Sequence, residues 1–242
     1  MLHEKLRNSA IIIIGNEILS GRTQELNSRY LAQKLLLIGI TVNEVRIIPD
    51  NKDHIVACIN NLRNKYTYVF TSGGIGPTHD DITAECVASA FNVSLPVNLK
   101  AKKLLEDYYK IQKVELNSAR LRMARIPKGG IMIPNPVSVA PGFQIENVFV
   151  LAGVPKIFKS MVETIIKNLK SEYSIKSITV TVNKPEGEIA EKLSTIASLY
   201  PDTSIGSYPF KKKKIKGTNI VISHPNEKFI NKISLLIEEL KY

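Results

Sequence analysis

The sequence predicts an α/β protein in which a parallel sheet is covered by helices on both faces, followed by a small α+β domain. Over the first 170 residues, short apolar runs alternate with segments of helical periodicity. Several of these runs lack a polar face, which is typical of strands that are buried on both sides. From about residue 171 the pattern changes. We therefore expect two domains, at residues 1–170 and 171–242.

The larger domain begins with a strand at residues 9–14, where four consecutive isoleucines leave no polar face. Apolar residues at helical spacing predict a helix over residues 27–38, which Gly39 ends. The same criteria predict a strand at 41–48, a helix at 52–65 and a strand at 66–71. This alternation of strands and helices indicates a parallel sheet.

After the third strand, a glycine-rich loop leads into a helix expected at residues 81–91. The rest of the domain is predicted to contain helices at 100–110, 118–124 and 155–169 and strands at 131–134 and 147–151. Residues 134–143 are too rich in proline for a strand or a helix. We expect this segment to form a loop that covers the substrate.

The second domain is predicted to have the order β-α-β-β-α. Its elements are a half-exposed strand at 177–182, a helix at 186–199, strands at 203–209 and 217–223, and a helix at 226–242. The last two strands are expected to form a hairpin across a lysine-rich loop. That order is typical of a small α+β domain.

The formal net charge of +11 raises the question of a nucleic-acid partner. The dense basic run, Lys211-Lys212-Lys213-Lys214 with Lys216, is consistent with a solvated hairpin loop. No aromatic residues interleave with these lysines and no recognised nucleic-acid motif accompanies them, so we do not expect nucleic acid as a partner. A positive surface also attracts small anions such as nucleotides.

Membrane segments and disulfides are not expected. No run approaches the roughly 20 apolar residues that span a bilayer, and the N-terminus has no secretory pattern. We therefore expect a cytoplasmic protein. Cys58 and Cys86 lie at apolar positions of predicted helices, as small core residues do.

Four polar or glycine-rich loops follow predicted strands. They are residues 15–21, Pro49-Asp50, residues 71–83 and residues 152–156. Ligands of open parallel sheets bind beyond the carboxyl ends of the strands, so loops at one edge are better evidence of a site than any one of them alone.

The loop at residues 71–83 contains three glycines, Gly73, Gly74 and Gly76, followed by Asp80 and Asp81. Glycine lets backbone N–H groups approach an anion closely. The two aspartates have alternative roles, as caps of the following helix or as ligands of a divalent cation. We expect a division of labour in which Asp80 caps the helix and Asp81 serves the ligand.

Four stretches carry a resemblance to a known family: GNEILSGRTQELNSRYLAQKL, PDN, TSGGIGPTHDDIT, and NPVSVAPGF with the later AGVP. Together they resemble the MoaB/Mog (molybdopterin-binding) domain, and more closely the N-terminal part of the competence/damage-inducible CinA proteins. The SIGSYP segment at residues 204–209 resembles the segment after the same domain in FAD synthases. The resemblance is strongest over residues 10–169.

This resemblance implies a three-layer α/β/α fold that binds a nucleotide or pterin phosphate. Relatives act as molybdopterin adenylyltransferases, as molybdenum-insertion proteins, or as metal-dependent pyrophosphatases on ADP-ribose or FAD. By correspondence with Mog-type enzymes, Asp50 and Asp81 are the expected catalytic residues. The family's Gly-Asp-Glu turn is Gly15-Asn16-Glu17 here, which removes one carboxylate from a cation site. Glu17 and Asp80 are expected to compensate.

The expected metal ligands are Asp50, Asp80 and Asp81. The expected substrate-binding residues are Gly15, Asn16, Glu17, Ser20, Asn27, Ser72, Gly73, Gly74, Gly76, Pro77, Thr78, Thr83, Asn135, Pro136, Gly142, Gly153 and Lys156. Ser20, Asn27 and Thr83 have an alternative role as caps of turns and helices. Lys156 is either a solvated residue of a first helical turn or a phosphate partner.

The leading functional interpretation is a diphosphatase that cleaves the diphosphate bond of ADP-ribose- or FAD-like substrates with a divalent metal, Mg²⁺ or Co²⁺. One alternative is a molybdopterin-binding or adenylyl-transferring protein with molybdopterin as its ligand. Another is a nucleotide-binding protein without catalysis. We also expect a homo-oligomer, either a dimer or a trimer.

Overall fold

A computed structural model of the chain describes residues 7–169, 175–212 and 215–241. The chain divides into two compact units. The larger one contains most of residues 7–169, and the smaller one contains the described residues from 175 onwards.

The larger unit is built on a six-stranded sheet with the order β2-β1-β3-β6-β5-β4. The strands are β1 Arg7–Ile14, β2 Ile40–Ile48, β3 Tyr68–Ser72, β4 Ile131–Ile133, β5 Gly142–Ile145 and β6 Val148–Leu151. The first four in the spatial order run parallel, whereas β5 and β4 pair antiparallel. The prediction of a mostly parallel sheet is confirmed.

Helices cover both faces of this sheet. They are α1 Asn16–Leu19, α2 Asn27–Leu37, α3 Lys52–Lys65, α4 Thr83–Ala90, α5 Leu99–Ile111, α6 Ser118–Leu121 and α7 Pro155–Ile166, with a 3-10 turn at Arg122–Ala124. Ile12 of β1 packs in one core cluster with buried residues of α3, α4 and α5. Its neighbours Ile11 and Ile13 are equally buried but lie outside that cluster. Because side chains of a strand alternate between faces, the sheet has a second covered face, which gives three layers.

Helices α2 and α7 supply buried apolar residues outside the first cluster. The hydroxyl group of Tyr30 on α2 donates to the Glu163 carboxylate on α7 at 2.5 Å, so the two helices are neighbours. On the opposite face, Cys58 and Cys86 are buried within the first cluster, in agreement with their expected core role. Burial raises the pKa of the Cys86 thiol to about 11.

The strand β5 was not predicted, because residues 134–143 were expected to be loop throughout. Gly142 and Phe143 begin this strand, and Phe143 pairs with Val150 of β6. A Cβ atom on Gly142 would lie 2.2 Å from the carbonyl oxygen of Val150. Glycine therefore allows close packing here, although the same residue after Pro141 is the usual signal of a turn.

The start of α4 also differs from the prediction. The helix begins at Thr83 rather than at residue 81, and its N-cap residue Ile82 makes no side-chain capping hydrogen bond. The expectation that Asp80 caps this helix is wrong. By contrast, α3 has the predicted bounds, and the side chain of Asn51 caps it by accepting from the N–H groups of Asp53 and His54.

The smaller unit contains β7 Lys176–Val182, α8 Glu186–Leu199, β8 Ser204–Lys212, β9 Ile215–His224 and α9 Glu227–Glu238, followed by a 3-10 turn at Glu239–Lys241. Its strands form an antiparallel sheet with the order β7-β9-β8. Val180 and Val182 of β7 are buried in the core with both helices, whereas Thr181 between them and the preceding Thr179 are exposed. One face of this sheet is therefore covered, as the alternating sequence indicates.

The lysine-rich loop is shorter than predicted. Lys211 and Lys216 are paired strand residues of β8 and β9. Lys213 and Lys214 lie outside the described residues. Among the helices that the structure describes, none has the length and apolar character needed to cross a membrane.

Candidate functional site

Four loops meet where the parallel strands β1, β2, β3 and β6 end. The Gly15 N–H group donates to the Ile48 carbonyl oxygen at 3.2 Å, which joins the ends of β1 and β2. The Gly73 N–H group donates to the Leu151 carbonyl oxygen at 3.1 Å, which joins β3 to β6. The strand-end loops that the sequence indicates therefore share one edge of the sheet, where α/β proteins bind ligands.

A cleft of about 470 Å³ opens at this edge, and we call it the strand-end cleft. It contains eight of the predicted site residues: Glu17, Gly73, Gly74, Gly76, Pro77, Asp81, Asn135 and Gly153. The other residues of its lining are Thr23, Ile75, Met123, Ser138, Ala140, Ala152, Val154, Pro155 and Ile157. The predicted residues that lie outside the lining are Gly15, Asn16, Ser20, Asn27, Asp50, Ser72, Thr78, Asp80, Thr83, Pro136, Gly142 and Lys156.

A larger hollow of about 680 Å³ lies elsewhere in this unit, along residues 96–100 and 126–132. Its lining contains two lysines but no carboxylate, histidine or cysteine. The strand-end cleft is smaller, but it combines carboxylates with glycine backbone, so it is the better candidate for chemistry.

The glycines of the cleft are required by backbone geometry. Gly73 and Gly74 have φ angles of 112° and 68°. A Cβ atom on Gly73 would lie 2.2 Å from the Ile14 carbonyl oxygen, and one on Gly74 would lie 2.2 Å from the Thr83 hydroxyl oxygen. Each of these two positions therefore requires glycine, because any other residue would place a Cβ atom in a contact that is too close.

Three consecutive backbone N–H groups of this loop have no partner within the described part of the chain. They belong to Gly74, Ile75 and Gly76, which all line the strand-end cleft. Successive N–H groups in such a conformation form an anion-binding concavity. The loop thus offers a phosphate or carboxylate several donors that the protein itself does not use.

Thr83 fixes this loop to the start of α4. Its N–H group donates to the Gly74 carbonyl oxygen, and its hydroxyl group donates to the Gly73 carbonyl oxygen, both at 3.0 Å. The side chain is fully buried. Thr83 therefore holds the loop in place from behind instead of contacting the cleft.

Asp81 closes the turn that follows the glycines. Its Oδ2 accepts from the Thr78 N–H group at 2.8 Å and also from the Thr78 hydroxyl group. A Cβ atom on Gly76 would lie 2.6 Å from the same oxygen, so this glycine makes room for the carboxylate. Asp80 is exposed, and the nearby Thr78 side chain is the main cause that lowers the pKa of its carboxyl group.

Arg122 holds the same turn in place, although it was not among the predicted site residues. Its guanidinium group donates to the Thr78 carbonyl oxygen at 2.8 Å and to the Asp81 carbonyl oxygen at 3.1 Å. It also pairs with Glu85, which Arg125 contacts as well. Burial alone would raise the pKa of Glu85. Hydrogen bonds from Arg125, from a backbone N–H group at Glu85 itself and from Arg122 outweigh this effect and lower that pKa. Two arginines three residues apart on a short helical segment are the only sequence signal for this cluster.

Asn27 connects two of the loops. Its side-chain amide donates to the Ser72 hydroxyl oxygen at 2.9 Å and to the Gly153 carbonyl oxygen at 2.7 Å. The residue is buried, and its Oδ1 has no partner among the described residues. The side chain of Glu25, which was not predicted, accepts from the N–H groups at the start of α2. Asn27 is therefore a link between loops and does not cap its helix.

The carboxylates do not form a metal cage. Asp50 accepts from the Asn16 N–H group at 2.8 Å, and it is not part of the cleft lining. Within residues 7–169, 175–212 and 215–241, no three or more His, Cys, Asp or Glu side chains converge as a metal site would require. Glu17 and Asp81 are the two carboxylates that line the cleft.

Four further predicted residues either bond to other groups of the protein or are exposed to solvent. Asn135 is buried, and its amide donates to Ser138 Oγ at 2.7 Å and to the Ala140 carbonyl oxygen at 2.9 Å, which shapes one wall of the cleft. Pro136 beside it is exposed. Ser20 is exposed and donates to the Glu17 carbonyl oxygen at 3.3 Å. Lys156 is exposed in the first turn of α7.

Comparisons with known proteins agree with this architecture. A family described as "Probable molybdopterin binding domain" matches residues 10–171, and one described as "FAD synthase, middle domain" matches residues 174–240. A protein of Archaeoglobus fulgidus is 38% identical over 200 residues, which are 82% of this chain and 84% of its own length. A protein of Sulfurisphaera tokodaii is 35% identical over 96% of this chain and 92% of its own length. The crystal structure of the protein CinA with unknown function from Thermoplasma acidophilum superposes with a TM-score of 0.63 and 32% identity, over 68% of this chain and 98% of that one.

Proposed function

Because the chain belongs to the family of probable molybdopterin-binding domains, we propose that its strand-end cleft binds the diphosphate of a nucleotide or pterin compound and hydrolyses the diphosphate bond. ADP-ribose and FAD are the substrates we expect. The proposal rests mainly on the unused N–H groups of Gly74, Ile75 and Gly76, three residues that line the same cleft as Glu17 and Asp81.

The glycine loop would bind the phosphate oxygens. Its three N–H groups are held in place by Thr83 and by the Gly73–Leu151 hydrogen bond, so they need little reorganisation when an anion arrives. Donors fixed in this way also stabilise the charge that develops on a phosphoryl group in the transition state. Asp81 lies at the end of this loop, beside the position proposed for the phosphate.

A divalent cation fits this site only as a companion of the substrate. The described residues contain no three-ligand cluster, so the protein alone does not supply a cation site. Mg²⁺ commonly uses one or two carboxylates together with substrate phosphates, and Glu17 and Asp81 would be those carboxylates. When bound there with the substrate, such a cation would lower the pKa of a water molecule and so supply a nucleophile. Asp50 and Asp80 lie outside the lining of the cleft, so this proposal gives neither of them a direct place on the cation.

The second candidate is a pterin- or nucleotide-binding protein without hydrolysis. It is favoured by the position of Asp50, whose carboxylate already accepts the N–H group of Asn16. The binding-only function uses the same cleft and the same glycine N–H groups. The two candidates therefore differ in turnover and not in the ligand site.

Hydrolysis of ADP-ribose, FAD and NAD by the full-length protein, with Mg²⁺, Co²⁺ or EDTA, separates the two candidates. Asp81→Asn should lower metal-dependent turnover by about 100-fold or more, because it removes a negative charge beside the phosphate. The melting temperature should change little, since the Asn Oδ1 still accepts from the Thr78 N–H group. Asp80→Asn is the matched comparison and should have a smaller effect. Absence of turnover in the parent, with binding retained, would favour the second candidate.

Two expectations from the sequence stay as proposals. We propose that the chain forms a dimer or a trimer, which light scattering on the purified protein tests. We also propose a cytoplasmic location, which fractionation of the source cells tests.

A further inference from the structure

The smaller unit has a pocket of its own. It has a volume of about 270 Å³ and is lined by residues 199–203 together with His224, Asn226 and Phe229. We call it the C-terminal pocket. All of its residues belong to one unit, and none of them takes part in the function proposed above.

His224 is the polar group that makes this pocket unusual. The side chain is 3% exposed and lies at the end of β9, against the ring of Phe229 at 4.8 Å between centroids. Its Nδ1 accepts from the Asn226 N–H group at 2.9 Å. The Asn226 carbonyl oxygen, 3.1 Å from Nδ1, already accepts from the Phe229 N–H group. Because a ring nitrogen that accepts a hydrogen bond carries no proton, the bond from Asn226 places the proton of the neutral ring on Nε2.

The Nε2 atom has no hydrogen-bond partner in the part of the chain that the structure describes. Polar groups of buried residues are normally paired with another protein group or with water. His224 is nine-tenths buried and lines the pocket, so the pocket is where an acceptor for its Nε2–H group would lie. Thr203, which is also buried, provides a hydroxyl group in the same lining.

The rest of the lining indicates the chemistry of the ligand. Tyr200, Phe229 and the apolar Leu199 and Pro201 provide flat, largely apolar walls. Among the described residues, no lysine or arginine belongs to this lining, so the pocket offers no cationic side chain to a phosphate or another anion. Aromatic walls with one donor fit the π-face and the ring acceptor of a planar heterocycle.

We propose that the C-terminal pocket binds an uncharged planar heteroaromatic ring, such as a nucleobase or a pterin, whose ring acceptor takes the Nε2–H of His224. The ring packs against Phe229 and Tyr200. This site is separate from the strand-end cleft and does not depend on the function proposed there.

The test uses the full-length chain with ¹⁵N-labelled histidine and three probes: adenosine, guanosine and 6-methylpterin. Nitrogen chemical shifts report the tautomer of His224, and a titration should move its Nε2 signal in a saturable way with at least one probe. The nucleoside and pterin arms distinguish the two sources of the ring. Phe229→Ala should weaken that binding about tenfold or more, because it removes one wall.

Tyr208→Ala is the matched control, since Tyr208 is an exposed aromatic residue of the same unit outside the pocket lining. It should leave binding unchanged. His224→Gln is a second variant that removes the donor and should also weaken binding, with far-UV circular dichroism as the check on folding. The proposal is overturned if none of the three probes shifts the His224 signals when each is added to the limit of its own solubility. It is equally overturned if binding persists in both pocket variants, which would place the probe elsewhere.

Discussion

The strand-end cleft and the C-terminal pocket are built from different parts of the polypeptide. In the cleft, the groups offered to a ligand are mostly backbone N–H groups, held by glycines whose conformation has no space for a side chain. In the pocket, they are side chains, with one buried imidazole and aromatic walls. A backbone site fails when an atom is added, whereas a side-chain site fails when atoms are removed.

The largest expected effect tests the backbone half of this comparison. Gly73→Ala places a Cβ atom 2.2 Å from the Ile14 carbonyl oxygen, a backbone atom that cannot move without disturbing β1. We expect a loss of at least about 3 kcal/mol in the free energy of unfolding, together with loss of ligand binding. Chemical denaturation and a binding titration measure the two effects.

Gly21→Ala is the control for this prediction. Gly21 also has a positive φ angle, 72°, but a Cβ atom there would meet nothing within 4 Å. Only the conformational cost should remain, about 1 kcal/mol. Equal losses in the two variants would show that backbone strain, and not the contact with β1, sets the requirement for glycine.

An intermediate effect is expected from the brace behind the cleft. Arg122→Gln removes the bonds to the carbonyl oxygens of Thr78 and Asp81, so the turn that carries the Asp81 carboxylate loosens. We expect about a tenfold loss of ligand affinity, which corresponds to about 1.4 kcal/mol. Calorimetric titration with the ligand identified in the hydrolysis screen measures it.

Arg125→Gln provides the comparison, because Arg125 contacts Glu85 but neither of those carbonyl oxygens. Its effect on ligand affinity should be smaller than that of Arg122→Gln. If both variants bind the ligand as well as the parent does, the turn does not need its brace.

The smallest effect is expected from a glycine in the other unit. Gly187 lies in the first turn of α8, and a Cβ atom there would meet nothing within 4 Å. Gly187→Ala should stabilise the helix by about 0.5 kcal/mol, since alanine has the higher helix propensity. Thermal unfolding measures the change, and a destabilised variant would contradict the view that Gly187 is not required by its surroundings.

The sequence predicts the fold well where burial alone determines the pattern of apolar residues along the chain. Runs such as Ile11 to Ile14 are buried on both sides, so the parallel strands were predicted, and with them the edge at which their loops meet. The same reasoning missed β5, because glycine and proline at the start of a strand look like a turn. The division at residues 170 and 171 stays a prediction.

The roles of individual site residues were harder to predict, because they depend on partners distant in sequence. Asn27 bonds Ser72 and Gly153, which lie 45 and 126 residues away. Arg122 reaches Thr78 across 44 residues. Local patterns indicate ligand binding for Asn27, with a helix cap as the alternative, and they indicate no role for Arg122. The start of α4 is also set by a contact outside the local pattern. The Thr83 N–H group donates to the Gly74 carbonyl oxygen, and the helix begins three residues after Asp80.

The link through Asn27 also bears on the order in which the protein acquires its binding competence. Strand β6 inserts next to the early strand β3, although about 75 residues of chain separate them. Two hydrogen bonds cannot form until that insertion is complete: the one from Asn27 to the Gly153 carbonyl oxygen and the one from Gly73 to the Leu151 carbonyl oxygen. A nascent chain released before β6 would carry the whole glycine motif and yet be unable to hold a ligand. Refolding experiments should therefore detect secondary structure first and ligand capture last.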